Sequence, residues 1–316
     1  MEPLRVIFFG SAELARASLA ALAGSGFCRV LAVVTQPDRP KGRQLHLQPT
    51  PVKIEAQASG IPVLEPAKAR DPAFVRQLAA LQPELIVVAA YGQILPQTVL
   101  DLPRLSCLNV HTSLLPRHRG AAPIQWAILN DDPETGVTIM KMDAGLDTGD
   151  ILSQQATPIL ASDNAQTLHD RLAQLGADLL IRTIPDYVAG KIQSRKQPEE
   201  MASYARKITK EDGRLDWTQP ARALWNRVRA FTPWPGAFTF LPRETKLPLL
   251  KIWEAVVAED AAGLPGQVVQ ADKSGLVIAC GQQGLRILQL QREGGRRLRA
   301  EEFLAGHDLK EGARLT

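Results

Sequence analysis

The sequence predicts an α/β protein with a doubly wound, mostly parallel β-sheet, followed by a small C-terminal β-barrel. Over the first 200 residues, short apolar runs rich in β-branched residues alternate with segments of helical period. That alternation is typical of a parallel sheet with helices on both faces. In the C-terminal third, the pattern changes to short strands separated by Gly and Asp turns, which is typical of a small barrel.

Compact apolar runs are the predicted strands of the parallel sheet. They cover Arg5–Phe9, Val30–Thr35, Ile61–Leu64, Leu85–Tyr91, Leu108–His111 and Thr138–Met142. Between them lie amphipathic stretches such as Ala12–Ala23 and Pro72–Leu81, which predict helices. A long helix is predicted over residues 163–189, because leucines recur on one stripe and Gly190 provides a stop.

We expect three parts in the chain: an α/β domain over residues 1–190, a polar linker over 191–205 and a barrel domain over 206–316. The barrel domain begins with a helix at residues 219–230 and a rigid turn at Phe231–Gly236. Its predicted strands are Ala237–Leu241, Leu249–Val257, Gly266–Gln270, Leu276–Cys280 and Leu285–Gln291.

Composition and charge exclude several classes of protein. The longest apolar run, Leu85–Tyr91, is far shorter than the roughly 18 residues of a membrane-spanning helix. The three cysteines have no paired spacing and the five histidines no helical pairing, so we expect a reducing cytosol and no metal site. Lys and Arg number 19 against 20 Asp and Glu in residues 1–203, but 18 against 13 in residues 204–316. The basic C-terminal third favours an anionic partner such as nucleic acid, although a merely soluble basic surface would show the same balance.

The first strand ends at Gly10, where nucleotide phosphates often bind in α/β proteins. Gly10 stands alone there, since positions 12 and 15 are Ala. A single glycine indicates a tight turn and argues against a dinucleotide site.

The richest polar segment follows the strand that ends at His111. Asn109 and His111 are two residues apart, so in an extended strand both side chains leave on the same face. Strand C-termini in open α/β sheets are where ligands bind. Pro116, Gly120 and Pro123 then predict an irregular loop. The alternative is a purely structural role, in which His111 is a core histidine with its hydrogen bonds satisfied and Asn109 is a turn residue.

A second polar cluster, Asp143–Asp150, follows the next strand and holds three carboxylates. Its spacing fits a calcium loop poorly. A carboxylate beside a His–Asn pair is typical of an acid–base site, in which the carboxylate holds the imidazole protonated. The apolar surroundings of Cys107 and the lack of a Gly-x-Ser-x-Gly turn argue against a nucleophilic mechanism.

These segments resemble the formyltetrahydrofolate-dependent formyltransferases. The resemblance rests on Asn109, His111 and Asp147 with the Ser113–Pro116 loop, and it covers essentially the whole chain. Further matching segments are Thr35–Pro40, Arg119–Ile124, Gly145–Asp150 and Phe231–Pro235. The chain departs from the family at Ser11-Ala12, where Thr-Pro is usual, and at Thr112, where Gly is common. We expect the second departure to affect turnover and not the type of reaction.

The resemblance implies a formyltransferase-type, Rossmann-like sheet and an OB-like barrel. It implies formyl transfer from 10-formyltetrahydrofolate, a co-substrate, to the α-amino group of methionine esterified to initiator tRNA. Asn109 and protonated His111 would donate hydrogen bonds to the developing formyl oxyanion. Asp147 would keep the imidazole charged and help to deprotonate the attacking nitrogen. Neither a metal nor a tightly bound cofactor is implied.

The resemblance also assigns the binding residues. The folate is expected against Tyr91, Ile94, Leu95, Ser113, Leu114, Leu115 and Pro116. The tRNA is expected on the polar loop at residues 36–51 and on an arginine-rich segment of the barrel domain, through Arg39, Lys41, Arg43, Arg292, Arg296, Arg297 and Arg299.

Two other functions stay open at this point. A formyltransferase acting on an amino sugar nucleotide or a purine precursor would share the Asn–His–Asp site but would not need a basic C-terminal domain. A non-catalytic RNA-binding protein on the same scaffold is the third candidate, and the intact Asn109, His111 and Asp147 argue against it. If the acceptor is initiator tRNA, we expect a cytoplasmic monomer.

Overall fold

The computed structural model describes residues 2–41, 46–241 and 248–316. The chain divides into two compact units. The first comprises the described residues of Met1–Pro123, with Glu134–Pro158 and His169–Ala205, and the second Ile124–Pro133, Ile159–Leu168 and the described residues of Arg206–Thr316. The helices are α1 Glu13–Ala23, α2 Pro51–Ala58, α3 Pro72–Ala80, α4 Gln97–Leu100, α5 Pro123–Leu129, α6 Ala165–Val188, α7 Ala221–Ala230 and α8 Ala300–Gly306.

The first unit is built on a seven-stranded sheet. Its strands, with two shorter pairs, are β1 Leu4–Gly10, β2 Cys28–Val34, β3 Arg39–Lys41, β4 His46–Gln48, β5 Val63–Leu64, β6 Leu85–Ala89, β7 Cys107–His111, β8 Arg119–Gly120, β9 Glu134–Lys141, β10 Ile151–Pro158 and β11 Tyr204–Ala205. The sheet order is β10-β9-β7-β6-β1-β2-β5. Five neighbouring strands of this order, β7, β6, β1, β2 and β5, run parallel to one another. The predicted doubly wound, mostly parallel sheet is therefore confirmed.

The edge of this sheet beyond β7 differs from the rest. Strand β9 begins at Glu134, four residues before the predicted Thr138, and runs antiparallel to β7. Strand β10, which the sequence did not indicate, pairs antiparallel with β9. The carboxylate cluster at Asp143–Asp150 therefore lies in the connection of a β-hairpin. Lys141 pairs with Leu108, so this connection starts beside the first residues of β7.

The stretch expected as a linker, residues 191–205, belongs to the first unit. Arg195 forms an isolated antiparallel bridge with Ile151, and β11 pairs in parallel with β8. Polar composition alone indicated a linker. The domain boundaries given above stay a prediction.

The second unit contains an antiparallel sheet, which confirms the β-rich C-terminal domain. Its strands are β12 Ala237–Phe240, β13 Leu249–Ala258, β14 Val268–Asp272, β15 Gly275–Ala279, β16 Gly284–Arg292 and β17 Arg297–Arg299. The order is β12-β13-β16-β15-β14, with β17 on β16. Apolar side chains of β13, β15 and β16 pack against α7 and α8, for example Ile252, Ile278, Leu290, Leu224 and Phe303.

Residues 313–316 connect the two edges of this sheet. Val268 donates its backbone N–H to the carbonyl of Ala313 at 2.8 Å, and Leu315 donates to Gly266 at 2.8 Å. On the other side, Phe240 and Thr316 exchange backbone hydrogen bonds of 2.9 and 3.2 Å. The first of these edges is the start of β14 and the second is the end of β12, so the segment closes the sheet.

Gly266 is where this closure leaves no room for a side chain. Its φ is +84°, and a Cβ atom there would lie 2.5 Å from the carbonyl oxygen of Leu315. Gly312 has a similar φ of +86° but open space around a Cβ. Both positions carry the same left-handed strain for alanine, of about 1–2 kcal/mol. Only Gly266 adds a collision with the closing segment.

We expect Gly266→Ala to destabilise the second unit more than Gly312→Ala does, by about 1–3 kcal/mol. All five tryptophans (126, 217, 225, 234 and 253) lie in the second unit, so the thermal midpoint followed by tryptophan fluorescence reports on it selectively. Equal midpoints for the two variants would contradict the role given to residues 313–316.

Candidate active site

Strand β7 positions the first two candidate residues. Asn109 and His111 both lie on this strand, two residues apart, next to β6 on one side and β9 on the other. Asn109 is half-buried and His111 is buried. Both residues therefore have restricted side chains at the C-terminal end of a parallel strand.

Asp147 reaches the same point from the β9–β10 connection. Its Oδ1 lies 3.3 Å from Asn109 Nδ2, which donates the hydrogen bond. The backbone N–H of Gly120 donates to Oδ2 at 2.8 Å. The same Oδ2 lies 3.6 Å from Nδ1 of His111, which is longer than a hydrogen bond. The structure thus brings together the three residues that the sequence indicated.

The hydrogen bonds of His111 determine which ring nitrogen faces the carboxylate. Its Nε2 lies 3.0 Å from the carbonyl oxygen of His118. A carbonyl oxygen only accepts hydrogen bonds, so Nε2 carries a proton and donates it. Nδ1 is then the nitrogen on the side of Asp147.

The irregular loop after β7 holds the carbonyl of His118 in place. His118 has a φ of +59°, in the left-handed region. Its backbone N–H donates to Ser203 Oγ at 2.9 Å, and the N–H of Arg119 donates to the carbonyl of Ser203 at 2.8 Å. Gly120 has a φ of +117°, and a Cβ there would lie 2.8 Å from the carbonyl oxygen of Ala205. A glycine is therefore required where the N–H turns toward Asp147.

Four residues that contribute to the site were missed by sequence reasoning. Arg119 is 1% exposed and donates to Gln197 and Glu199. Gln197 contacts the carboxylate loop, and Ser203 binds the loop after β7. Residues 197–203 lie in the stretch expected as a linker, so only their polarity could have marked them. Arg119 belongs to a segment that carried the family resemblance, but its burial could not be read from the sequence.

The Ser113–Pro116 loop is held by hydrogen bonds to the sheet. Thr138 Oγ1 donates to the carbonyl of Ser113 at 2.7 Å and accepts from the N–H of Leu115 at 3.1 Å. Gln154 Nε2 donates to the carbonyl of Leu115 at 2.9 Å. Ser113, Leu115 and Pro116 are buried, and Leu114 is half-buried. This loop has a fixed backbone beside the site.

The other expected folate residues lie in different surroundings. Ile94 is 87% exposed. Tyr91 and Leu95 are buried in the core of the first unit, and the Tyr91 ring meets Phe9 edge to face with centroids 5.2 Å apart. Burial raises the pKa of Tyr91 to about 12. These two residues belong to the core, and their part in folate binding stays a prediction.

The expected tRNA residues of the first unit are only partly described. Residues 36–51, expected as a loop, include the short antiparallel pair β3–β4 and the start of α2. Arg39 is exposed, and its guanidinium donates to Gln36 Oε1 at 2.8 Å. Arg43 and the side chain of Lys41 lie outside the described residues.

In the second unit, the four expected arginines lie at the β16–β17 turn. Arg292 ends β16 and is half-buried, whereas Arg296, Arg297 and Arg299 are exposed. The guanidinium carbon of Arg297 lies 4.0 Å from the centroid of the Trp253 ring. This stacking holds one cationic group in a fixed position on the surface.

Among the residues that the structure describes, no group of three or more His, Cys, Asp or Glu could hold a metal ion. In that same part of the chain, none of the helices has the length and apolar character to cross a membrane. Burial raises the pKa of Cys107, two residues before Asn109, to about 12. Its thiol is therefore protonated at neutral pH and is a weak nucleophile.

Family models cover most of the chain. Residues 4–184 match the model described as formyl transferase, and residues 207–308 match the model described as formyl transferase, C-terminal domain. Among solved structures, an N-formyltransferase from Helicobacter canadensis, in complex with folinic acid and dTDP-3-aminofucose, has a TM-score of 0.66 at 19% identity and covers 93% of this chain and 100% of its own. HypX from Aquifex aeolicus, in complex with tetrahydrofolic acid, has a TM-score of 0.61 at 16% identity, covering 95% of this chain and 47% of its own. Both show the same fold.

Curated relatives match over their whole length. A methionyl-tRNA formyltransferase from Geobacter sulfurreducens is 49% identical over 315 residues, which cover 100% of this chain and 98% of the relative. One from Pseudomonas syringae pv. syringae is 49% identical over 313 residues, covering 96% and 98%. Both domain models, the full-length relatives and the Asn–His–Asp geometry agree, and the chain belongs to the formyl transferase family.

Proposed function

We propose that this protein transfers the formyl group of 10-formyltetrahydrofolate to the α-amino group of methionyl initiator tRNA, giving N-formylmethionyl-tRNA for translation initiation. The observation that carries the proposal is the 49% identity, over the full chain, with a methionyl-tRNA formyltransferase. The convergence of Asn109, His111 and Asp147 supports formyl transfer as the chemistry. Folates bound in two structural neighbours support a folate donor.

The reaction begins when the amine attacks the formyl carbon. Negative charge then develops on the formyl oxygen, and hydrogen-bond donors aimed at that oxygen lower the barrier. The Asn109 amide has two N–H groups and uses one on Asp147, so the other serves the oxygen. His111 Nδ1 has no hydrogen bond to Asp147 at 3.6 Å, so a proton there is also available to the oxygen.

The second half of the reaction moves a proton between two nitrogens. The attacking nitrogen must lose a proton, and N10 of the folate must gain one as its bond to the formyl carbon breaks. Asp147 accepts the first proton directly or through one water molecule, and the adjacent imidazole relays the second. The products are the formylated amine and tetrahydrofolate, so atoms and charges balance with no further reagent.

The nucleophile needs little activation by the protein. A free α-amino group has a pKa of about 7.7–8.0, and the neighbouring ester lowers it further, so much of it is neutral at pH 7. Neither a covalent intermediate nor a tightly bound cofactor is required by this route. The Ser113–Pro116 loop is held to the sheet by Thr138 and Gln154, which supports a fixed surface for the folate beside the site.

The tRNA would bind through the basic surface of the second unit and the segment around Arg39. The excess of five positive charges in residues 204–316 supports a phosphate-rich partner. A sugar-nucleotide acceptor, as in the Helicobacter canadensis enzyme, is the second candidate, but that structure shares only 19% identity. We further propose that the protein is cytoplasmic, because initiator tRNA is aminoacylated and used in the cytoplasm, and that it is a monomer.

An acceptor comparison tests the proposed function directly. Labelled formyl donor is supplied with methionyl initiator tRNA, with dTDP-3-aminofucose, or with a purine precursor amine. We expect label only in the tRNA product. Label in a sugar nucleotide at a comparable rate would instead favour the second candidate.

Three substitutions test the catalytic residues. We expect His111→Ala and Asn109→Ala each to lower kcat by about 100- to 1000-fold, because each removes one oxyanion donor. Asp147→Asn should cost at least as much, because the carboxylate loses its charge and the proton acceptor is gone. Single-turnover rates with charged tRNA measure the losses.

His169, a partly exposed residue of α6 that pairs with Asp170, provides the matched control as His169→Ala. Its rate should stay within about twofold of the wild type, since surface substitutions away from a site have small effects. The affinity for tRNA should be nearly unchanged in all four variants. A wild-type rate for His111→Ala or Asn109→Ala would disprove the proposed site.

A further substitution tests the second unit. We expect Arg297→Ala to weaken the binding of all tRNAs to the same extent, whatever their sequence. The slope of log affinity against log salt should fall in magnitude by about one, because one phosphate contact is lost. Arg76→Ala, at an exposed position of α3 in the first unit, serves as the control. Filter binding across a salt series measures both, and an unchanged slope for Arg297→Ala would exclude the contact.

A further inference from the structure

We propose that Gln197 is a positioning residue for the formyl-transfer reaction, acting through the backbone of the loop that carries Asp147. The inference rests on the proposed function. The Gln197 Nε2 group donates to the carbonyl oxygen of Asp147 at 2.8 Å and to that of Gly149 at 2.7 Å. One side-chain amide therefore holds two carbonyls of the carboxylate loop.

The loop needs such support because its backbone is unfavourable at the catalytic residue. Asp147 has a φ of +55°, in the left-handed region that residues with a side chain rarely adopt. Gly149 is packed so closely that a Cβ there would collide with the carbonyl oxygen of Lys141. The direction of the Asp147 carboxylate follows from these backbone angles, so whatever fixes the carbonyls also aims the carboxylate at Asn109 and His111.

Gln197 is itself bound by the buried guanidinium group of Arg119. Its Oε1 accepts from Arg119 Nε at 3.0 Å, and Arg119 Nη1 donates to both oxygens of Glu199, at 3.0 and 2.8 Å. These partners determine the orientation of the amide, because a flipped group would set its oxygen against two carbonyl oxygens. Arg119 directly precedes Gly120, whose N–H binds the Asp147 carboxylate. The segment Arg119–Gly120 thus binds both the Asp147 carboxylate and Gln197, the residue that holds the loop of Asp147.

The hydrogen-bonding capacity of Gln197 separates positioning from direct catalysis. The amide group has two N–H donors, and both are used on carbonyls of the loop. No donor is left for the formyl oxygen or for the folate. Gln197 therefore acts on the reaction through the backbone of the loop that it holds.

A double-mutant cycle with Asp147→Asn tests this inference. We expect Gln197→Ala to lower the single-turnover rate by about 10- to 100-fold in the wild-type background, the size of effect expected when a catalytic group is misplaced by about 1 Å. In the Asp147→Asn background, the same change should lower the rate by less than about threefold, because the group it positions is already lost. Excess enzyme makes the slow variants measurable.

Two further variants control for folding and for the chemistry of the amide. Gln197→Glu keeps the size of the side chain and adds charge toward Arg119, but it has no N–H for the two carbonyls. It should therefore lose as much rate as Gln197→Ala. Gln174→Ala removes an exposed amide that donates to Asp178 on α6, and its rate should match the wild type. Binding of folate and tRNA should be unchanged in every case.

The outcomes separate the inference from the proposed function. Equal factors for Gln197→Ala in both backgrounds would show a merely structural role, and a wild-type rate for Gln197→Ala or Gln197→Glu would also overturn the inference. In both cases an active wild type leaves the proposed function standing. A wild type that does not formylate methionyl-tRNA overturns both.

Discussion

The carboxylate of Asp147 is the group on which the arrangement of the site depends. Its oxygens receive hydrogen bonds from Asn109 on β7 and from the backbone of Gly120 on β8. Its own backbone carbonyl is bound by Gln197, more than seventy residues after β8 in the chain. Because a half-buried charge is costly unless hydrogen bonds satisfy it, these three segments must meet at one point. The geometry of β7, the loop after it and the β9–β10 connection follows from that requirement.

The mixed character of the sheet makes this meeting possible. A purely parallel sheet would place each following strand end at the same edge only after a crossover connection. Here β9 returns antiparallel beside β7, and the hairpin with β10 leaves its connecting loop next to Asn109 and His111. Because β9 ends beside Leu108, at the start of β7, this loop has to run back along β7 to bring Asp147 to Asn109 and His111. The antiparallel edge also gives the loop after β7 a partner, through Thr138 and Gln154.

Local sequence patterns predicted the parts of the structure that local forces determine. The period-two spacing of Asn109 and His111 placed both on one face of a strand, and Asp147 was placed after the following strand, as the structure has them. Arg119 could not be recognised as buried, since its partners Gln197 and Glu199 are about 80 residues away and lie in a polar stretch. The positive φ angles of His118 and Asp147 are likewise set by distant hydrogen bonds and have no glycine to mark them.

The closure of the second unit by residues 313–316 has a consequence for folding during synthesis. The segment pairs Leu315 with Gly266 and Thr316 with Phe240, so the sheet keeps two unpaired edges until residue 316 has left the ribosome. The last strand of the first unit, Tyr204–Ala205, is synthesised earlier and pairs with β8. A chain made at about 5–20 residues per second therefore has several seconds in which the first unit can close while the second is still open. During that interval the exposed strand edges of the second unit are the part of the nascent chain most in need of protection from other chains.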